Sequence, residues 1–232
     1  MFIPLKDLNP RRTFPLITIL LIAANVLVFA YQVSMPPRAE RAFVLAYADV
    51  PSRLPAWLSG SAPAAAALTP LFTSMFLHAG IVHLLGNMLF LWIFGDNVED
   101  FFGHFGYLVF YFGCGIVASL AHDLSDLSSK VPALGASGAI SGVMGAYLVL
   151  YPRARVLTLV FIFLVPIPAV VLLGWWFLLQ FLGGLNTAGA NGAHAAGGVA
   201  WWAHVGGFLA GALCAKVFPK HPIVLAKRAI LE

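Results

Sequence analysis

Charge is scarce in this chain. Asp, Glu, Lys and Arg make up 9% of its 232 residues, whereas soluble domains carry about 25%. So few charges exclude a sizeable soluble domain, and with 61% hydrophobic residues and a mean hydropathy of +0.91 the composition predicts an all-α integral membrane protein. The 13 basic against 9 acidic residues indicate basic cytoplasmic ends of membrane helices, so we expect no nucleic-acid partner.

Cysteine is equally scarce. The two thiols, Cys114 and Cys214, both lie inside apolar segments. This excludes a disulfide framework and a thiolate metal site, and it is typical of small core residues. The sequence implies neither a metal nor a cofactor.

Long apolar runs make up most of the chain. The first, residues 14–33, is long enough to span a bilayer and no clear cleavage site follows it, so we interpret it as a retained helix. We predict a membrane domain over 14–218, between a short polar N-terminal tail at 1–13 and a basic C-terminal tail at 219–232. Its six transmembrane helices are expected at about 14–33, 78–95, 105–121, 137–151, 168–182 and 199–218.

Three connecting segments differ from these runs. Residues 34–70 form the longest connection, and Trp57 with its apolar neighbours indicates that it lies in or on the membrane interface. Residues 156–165 are β-branched and aromatic but too short to span, so we interpret them as a non-spanning interfacial piece. Residues 183–199 are rich in Gly, Ala and Asn and predict a flexible loop.

The basic residues indicate an orientation. Six spans put both termini on one side, which we expect to be the cytoplasm because the basic residues then gather there. These residues are Arg11, Arg12, Arg153, Arg155 and the C-terminal lysines. Two features fit less well: the acidic stretch Asp96–Asp100 would be cytoplasmic, and the first outer loop carries Arg38, Arg41 and Arg53.

One serine lies between glycines in the stretch Ala133–Gly142. Pro132 and Gly135 end any earlier helix, so a new helix is expected to begin close to Ser137. The free N–H groups of a first helical turn favour negative charge, so a serine there could be a nucleophile whose oxyanion they receive. The alternative is a helix-packing surface, because Gly138 to Gly142 is also a G-x-x-x-G pattern.

Further polar side chains are expected at the same depth. His83 and Asn87 are four residues apart and share a helix face, which suits a functional pair or interhelical hydrogen bonding. His204 shares its face with Gly207 and Gly211, so close helix packing would bring it within hydrogen-bond reach of the serine. No carboxylate lies near His204 in the membrane, so a hydrolase here would use a dyad. A zinc site that also included His78 would lack carboxylate or thiolate support.

Three motifs in this order resemble the rhomboid intramembrane serine proteases. They are Gly135–Gly138 (the family's G-x-S-G), the helix-two set His78, His83 and Asn87, and Ala203–Gly207 with Gly211. Gly95 and Glu99 match the turn after helix two, and the resemblance covers about residues 70–215.

The resemblance implies a six-helix rhomboid-like bundle and a role for each motif residue. Ser137 would be the nucleophile and His204 the general base and acid, while His83 and Asn87 would stabilise the oxyanion. The packing glycines would be Gly138, Gly142, Gly207 and Gly211. Two positions depart from the pattern: Thr69-Pro70 stands where many relatives have Trp-Arg, and Ser141 stands where some have a tyrosine under the histidine.

The function expected from this resemblance is cleavage of transmembrane segments of other proteins near the outer membrane face, through an acyl-enzyme. The partners would be transmembrane protein substrates and the lipid bilayer. The location would be a bacterial inner membrane, with the active site facing outward; the oligomeric state stays open. The alternatives are a non-catalytic rhomboid-like scaffold that binds membrane proteins, and a small transporter or channel that uses the polar cluster.

Overall fold

The structure is a computed structural model that describes residues 2–189 and 199–218. This part of the chain is mostly helical, with a three-stranded sheet at one end. Its helices are α1 (Leu16–Ser34), α2 (Pro37–Tyr47), α3 (Arg53–Leu58), α4 (Ala64–Leu68), α5 (Pro70–Thr73), α6 (Ile81–Ser125), α7 (Ser137–Leu150), α8 (Ala169–Gly189) and α9 (Trp201–Val217), with a 3-10 turn at Ser74–Phe76. Its strands are β1 (Phe2–Asp7), β2 (Arg155–Val160) and β3 (Phe163–Pro168).

Three of the described helices are long and apolar enough to cross a membrane. They are α1, α6 and residues Ala169–Asn186 of α8. With 45 residues, α6 has more than twice the roughly 20 that one crossing needs. Helices α7 and α9 are apolar but contain only 14 and 17 residues. The chain is therefore a multi-pass membrane protein, and its count of six crossings stays a prediction.

The two helices predicted at 78–95 and 105–121 form the two halves of α6, which a kink at Gly103 divides. Helix α6 continues through residues 96–104, and only Gly103 leaves helical geometry, with φ 71° and ψ 163°. A side chain would be strained at this positive φ, so a glycine lets the chain kink there while helical hydrogen bonding resumes on both sides.

The acidic residues of α6 bind the start of α1. The Glu99 carboxylate accepts hydrogen bonds from the backbone N–H groups of Ile17 (2.9 Å) and Thr18 (2.8 Å). Asp100 accepts in the same way from the N–H groups of Arg12 (2.5 Å) and Thr13 (2.9 Å). Both carboxylates are buried. Glu99 satisfies N–H groups in the first turn of α1, where negative charge is favoured, and Asp100 satisfies those of the segment that leads into this helix. The acidic stretch is therefore explained by packing within the protein.

A sheet corrects the prediction of an all-α protein. Strand β1 pairs antiparallel with β2, and β2 with β3, so residues expected as a polar tail form an edge strand. The segment predicted as a non-spanning interfacial piece, 156–165, forms most of the β2–β3 hairpin. Its tip is apolar and exposed, with Phe161 at 74% and Ile162 at 82%. The sheet also brings the N-terminal segment beside the segment that follows α7.

The long first connection packs against the loop that leads into α7. Between α2 and α3, the backbone of Asp49 exchanges two hydrogen bonds with Ala133, at 3.0 and 2.7 Å, and the N–H of Ser52 donates to the carbonyl of Ser129.

The predicted loop over 183–199 is wrong for its first part, because α8 continues to Gly189. Its remainder, and the tail predicted at 219–232, lie outside the described residues.

Helix α7 lies at the centre of the core. Its residues from Ala139 to Tyr147 are all buried. It packs against α6, α8 and α9, and its small side chains let these neighbours approach closely. The beginning of this central helix is where the polar side chains meet.

Candidate active site

Ser137 is the first residue of α7. Just before it, Gly135 adopts φ 125°, and its N–H donates to the carbonyl of Ser74 at 2.9 Å. An L-residue rarely adopts this dihedral, so a glycine is needed for the tight turn into the helix. The N–H groups of the first turn have no partners within the helix. The half-buried Ser137 side chain therefore lies beside backbone donors.

Helices α7 and α9 are parallel and nearly touch along glycines. A methyl group added to Gly207 would overlap the carbonyl oxygen of Gly138, and one added to Gly211 would overlap that of Gly142. A Cβ on Gly138 would instead meet Ala118 of α6 at 2.7 Å. The four glycines named from the sequence thus lie where helices α6, α7 and α9 come together.

This close approach brings His204 to Ser137. The distance from His204 Nε2 to Ser137 Oγ is 2.7 Å, a hydrogen bond between side chains 67 residues apart in sequence. Ser141, one turn later, donates from its Oγ to the Ser137 carbonyl at 2.6 Å, so its hydroxyl is used within α7. The Ser137 hydroxyl can donate to His204 Nε2, which is the arrangement in which a serine is activated by a neighbouring base.

The other side of the His204 ring contacts α8. His204 Nδ1 lies 2.7 Å from Gln180 Oε1, and the Trp176 and His204 ring centroids are 5.8 Å apart at an interplanar angle of 38°. Gln180 is not among the residues predicted from the sequence, although a glutamine amid the leucines and aromatics of an apolar helix is itself a signal of function. Some relatives have a tyrosine under the histidine where this chain has Ser141. Here the side chains that contact the His204 ring come from α8 instead.

His83 and Asn87 lie beside the turn that precedes Ser137. A Cβ on Gly135 would fall 2.8 Å from His83 Nε2 and 3.5 Å from Asn87 Nδ2, so both nitrogens face the turn before Ser137. The N–H of Ala79 donates to His83 Nδ1 at 3.4 Å, which leaves the ring proton on Nε2. Two side-chain N–H groups therefore point towards this turn from the first part of α6.

His78 has a different position from the other histidines. Its ring is fully buried, and its Nε2 lies 2.9 Å from Asn87 Nδ2. Its backbone carbonyl accepts from Gln32 Nε2 of α1 at 2.9 Å. The side chain of His78 thus holds the Asn87 amide in place, and its backbone connects α1 to the segment just before α6.

A cavity of about 580 Å³ reaches these groups. Ser137, His204, His83 and Asn87 all line it. Much of its remaining wall is apolar, formed by residues such as Val82, Phe90, Ile140, Met144 and Trp176. A cavity of this size has room for water and a short extended peptide, so a serine hydroxyl, an imidazole and several N–H donors border one accessible space.

Comparison with known proteins places this site in context. The family model described as Rhomboid domain matches residues 65–221, more than half of the chain. Rhomboid protein 1, mitochondrial, of Saccharomyces cerevisiae is 35% identical over 144 residues, which cover 60% of this chain and 39% of that protein. Rhomboid protease GluP of Bacillus subtilis is 45% identical over 78 residues, which cover 34% of this chain and 15% of that protein.

A plant relative gives a similar match. RHOMBOID-like protein 6, mitochondrial, of Arabidopsis thaliana is 37% identical over 129 residues, which cover 50% of this chain and 40% of that protein. The matched region therefore spans at most two fifths of the length of each of these three relatives.

Proposed function

The chain belongs to the rhomboid family, and from that premise we propose that it is an intramembrane serine endopeptidase with Ser137 as nucleophile and His204 as general base and acid. The observation that carries the proposal is the 2.7 Å hydrogen bond between Ser137 Oγ and His204 Nε2. Both side chains line the same cavity between apolar helices. A hydrogen-bonded Ser–His pair reachable from a cavity is the minimum that serine acyl transfer needs.

The neighbouring donors support stabilisation of an oxyanion. The Ser137 N–H lies in the first turn of α7, and the Nε2–H of His83 and the amide of Asn87 face the preceding turn. Donors fixed around the serine before the reaction favour the charge that develops on the carbonyl oxygen. We propose that these three groups form the oxyanion hole.

The reaction would proceed in two steps. Ser137 Oγ attacks the scissile carbonyl as its proton passes to His204 Nε2, and the resulting imidazolium gives that proton to the leaving amine. The acyl-enzyme then reacts with water, whose proton passes to Nε2 and returns to Ser137 as the ester bond breaks. The products are a new carboxyl and a new amino terminus, and Ser137 and His204 are regenerated.

The proposed substrates are transmembrane segments of other proteins that enter from the bilayer. A helical peptide bond is protected by its own hydrogen bonding, so segments that contain Gly or Pro should unwind into the cavity more readily. Close approach of Ser137 to the carbonyl favours a small side chain before the cut. The apolar walls of the cavity, such as Phe90 and Met144, suit residues that come from lipid.

The proposed location is a bacterial inner membrane, with both termini in the cytoplasm and the active site towards the outer face. The sheet supports this orientation, because it holds the end that carries Arg11 and Arg12 beside the end that carries Arg153 and Arg155. Lys216, at the end of α9, lies towards the same side, since α9 runs parallel to α7. The beginnings of α6, α7 and α9 then face the opposite side.

A fluorescent fluorophosphonate in detergent tests the proposal directly. Such reagents phosphonylate only an activated serine, so the wild type should be labelled and Ser137→Ala and His204→Ala should not. Ser141→Ala is the matched control on the same helix and should retain labelling. A folded wild type that is not labelled would overturn the proposal and favour the scaffold, and labelling that survives Ser137→Ala would mean another nucleophile.

A further inference from the structure

We propose that Gln180 is the positioning residue of the catalytic histidine, holding His204 in the tautomer and orientation that accept the Ser137 proton. This inference rests on the proposed function. Its basis is a continuous chain of hydrogen bonds: Gln180 Oε1 to His204 Nδ1 at 2.7 Å, and His204 Nε2 to Ser137 Oγ at 2.7 Å. The carboxylate missing from the dyad is replaced by a neutral amide.

The two nitrogens of a neutral imidazole have different roles. One carries a proton and donates, while the other accepts, and the partner of the first decides which is which. An amide oxygen only accepts, so Gln180 Oε1 keeps the proton on His204 Nδ1. Nε2 then has its lone pair directed at the serine hydroxyl. Without the amide oxygen the other tautomer becomes available, and it cannot take the proton of Ser137.

The position of Gln180 in α8 is consistent with this role. Gln180 is only 8% exposed, whereas its neighbours Leu179 and Phe181 are 45% and 38% exposed. A buried amide in an apolar helix costs free energy unless it is hydrogen-bonded, and its oxygen is directed at His204. The helix therefore turns its polar residue inward, to the one ring nitrogen that Ser137 does not use.

Other side chains around the ring have different tasks. The Ser141 hydroxyl, one turn after Ser137 on α7, donates to the Ser137 carbonyl. Trp176, one turn before Gln180 on α8, lies beside the His204 ring in a tilted arrangement. Gln180 and Trp176 together restrict the orientation of the His204 imidazole. Helix α8 thus orients the proposed base, which α9 carries.

The test compares Gln180→Met with Gln180→Glu. Methionine matches glutamine in length but offers only a weak sulfur acceptor, whereas glutamate retains an oxygen that can accept from Nδ1. The first readout is the rate constant for fluorophosphonate labelling, obtained from the time course. Unlike the final extent of labelling, this rate constant does not depend on the fraction of protein that is folded. The second is kcat and KM for a detergent-solubilised transmembrane substrate. Leu179→Met is the control for a methionine on the adjacent, exposed position of α8.

We expect Gln180→Met to lower the labelling rate constant and kcat by about tenfold or more, with KM nearly unchanged, since orientation of the base acts on proton transfer. Gln180→Glu should recover most of this loss and Leu179→Met should behave as wild type. Equal rate constants for wild type and Gln180→Met, or a Glu variant no faster than the Met variant, would overturn the positioning role. If the wild type itself is not labelled, the proposed function fails instead.

Discussion

Replacement of Gly135 by alanine tests whether the turn before Ser137 sets the geometry of the site. The N–H of Gly135 is hydrogen-bonded to Ser74, and its Cα lies against the His83 ring. An alanine Cβ at this position would fall 2.7 Å from His83 Cε1 and 2.8 Å from Nε2. Carbon atoms normally approach to about 3.5–4.0 Å, so the ring or the turn must move by about 1 Å.

Two costs follow from this displacement. The φ of 125° is unfavourable for alanine, and strained backbone of this kind costs on the order of 1–3 kcal/mol. A misplacement of about 1 Å at a catalytic centre lowers the rate by about 10²-fold. We therefore expect Gly135→Ala to remain folded, with a moderately lower melting temperature, and to lose about two orders of magnitude in activity.

The labelling rate constant with a fluorophosphonate and the thermal unfolding midpoint measure these two effects separately. Gly113→Ala is the matched control, because Gly113 lies within α6 with open space around its Cα. There the methyl group should leave labelling unchanged and add stability, if anything, by about 0.4–1 kcal/mol. A Gly135→Ala protein with a labelling rate within about threefold of wild type would refute the reasoning. The position of His83 relative to the serine turn would then not limit the reaction.

Two further predictions concern packing and pH. Gly211→Ala should push α7 and α9 apart, because the methyl group would overlap the Gly142 carbonyl. We expect the free energy of unfolding to fall by about 1–3 kcal/mol and fluorophosphonate labelling to be slower. An unchanged unfolding midpoint together with an unchanged labelling rate would contradict the close packing of these helices. Burial raises the pKa of the Asp7 carboxyl from 3.8 to about 6, so the folded state favours its protonated form. The resulting stability is fully present below about pH 4 and is lost as pH rises through about 6. Asp7→Asn should remove this dependence from the unfolding midpoint, and a variant that keeps the wild-type pH profile would assign it to another group.

The positions of α1 and of the beginning of α7 follow from local patterns in the sequence. Hydropathy predicted a helix over 14–33 where α1 occupies Leu16–Ser34, and Pro132 with Gly135 predicted a helix start near Ser137, where α7 begins. Both signals lie within a few residues of the element that they describe. The resemblance to rhomboid proteases is confirmed at the level of the family.

Pairings between distant residues could not be predicted in this way. Strand β1 is short, contains a proline and pairs with residues about 150 positions later, so no local period marks it. The acidic stretch with Glu99 and Asp100 fitted the predicted orientation poorly. Its partners lie in and just before α1, more than 80 residues earlier, so no local pattern reveals them. Side-chain partnerships of this kind become visible only when the helices are in place.

The same reason explains what was missed at the candidate site. The serine and histidine motifs are recognisable because their small neighbours are adjacent in sequence. Gln180 has no such neighbours, and its significance depends on a ring that lies 24 residues later. The polar residue was visible in an apolar helix, but its partner was not.

The sheet also constrains how many times the chain crosses the bilayer. Hydrogen-bonded strands must lie on the same side of a membrane, so an even number of crossings separates Asp7 from its partner Val156. Helix α1 and the two halves of α6 would contribute three, an odd number. On that count we expect helix α7, short as it is, to supply the fourth. The strand pairing thus requires an even number of crossings, whatever the hydropathy of each helix. A chain inserted with one crossing too few could not form its sheet.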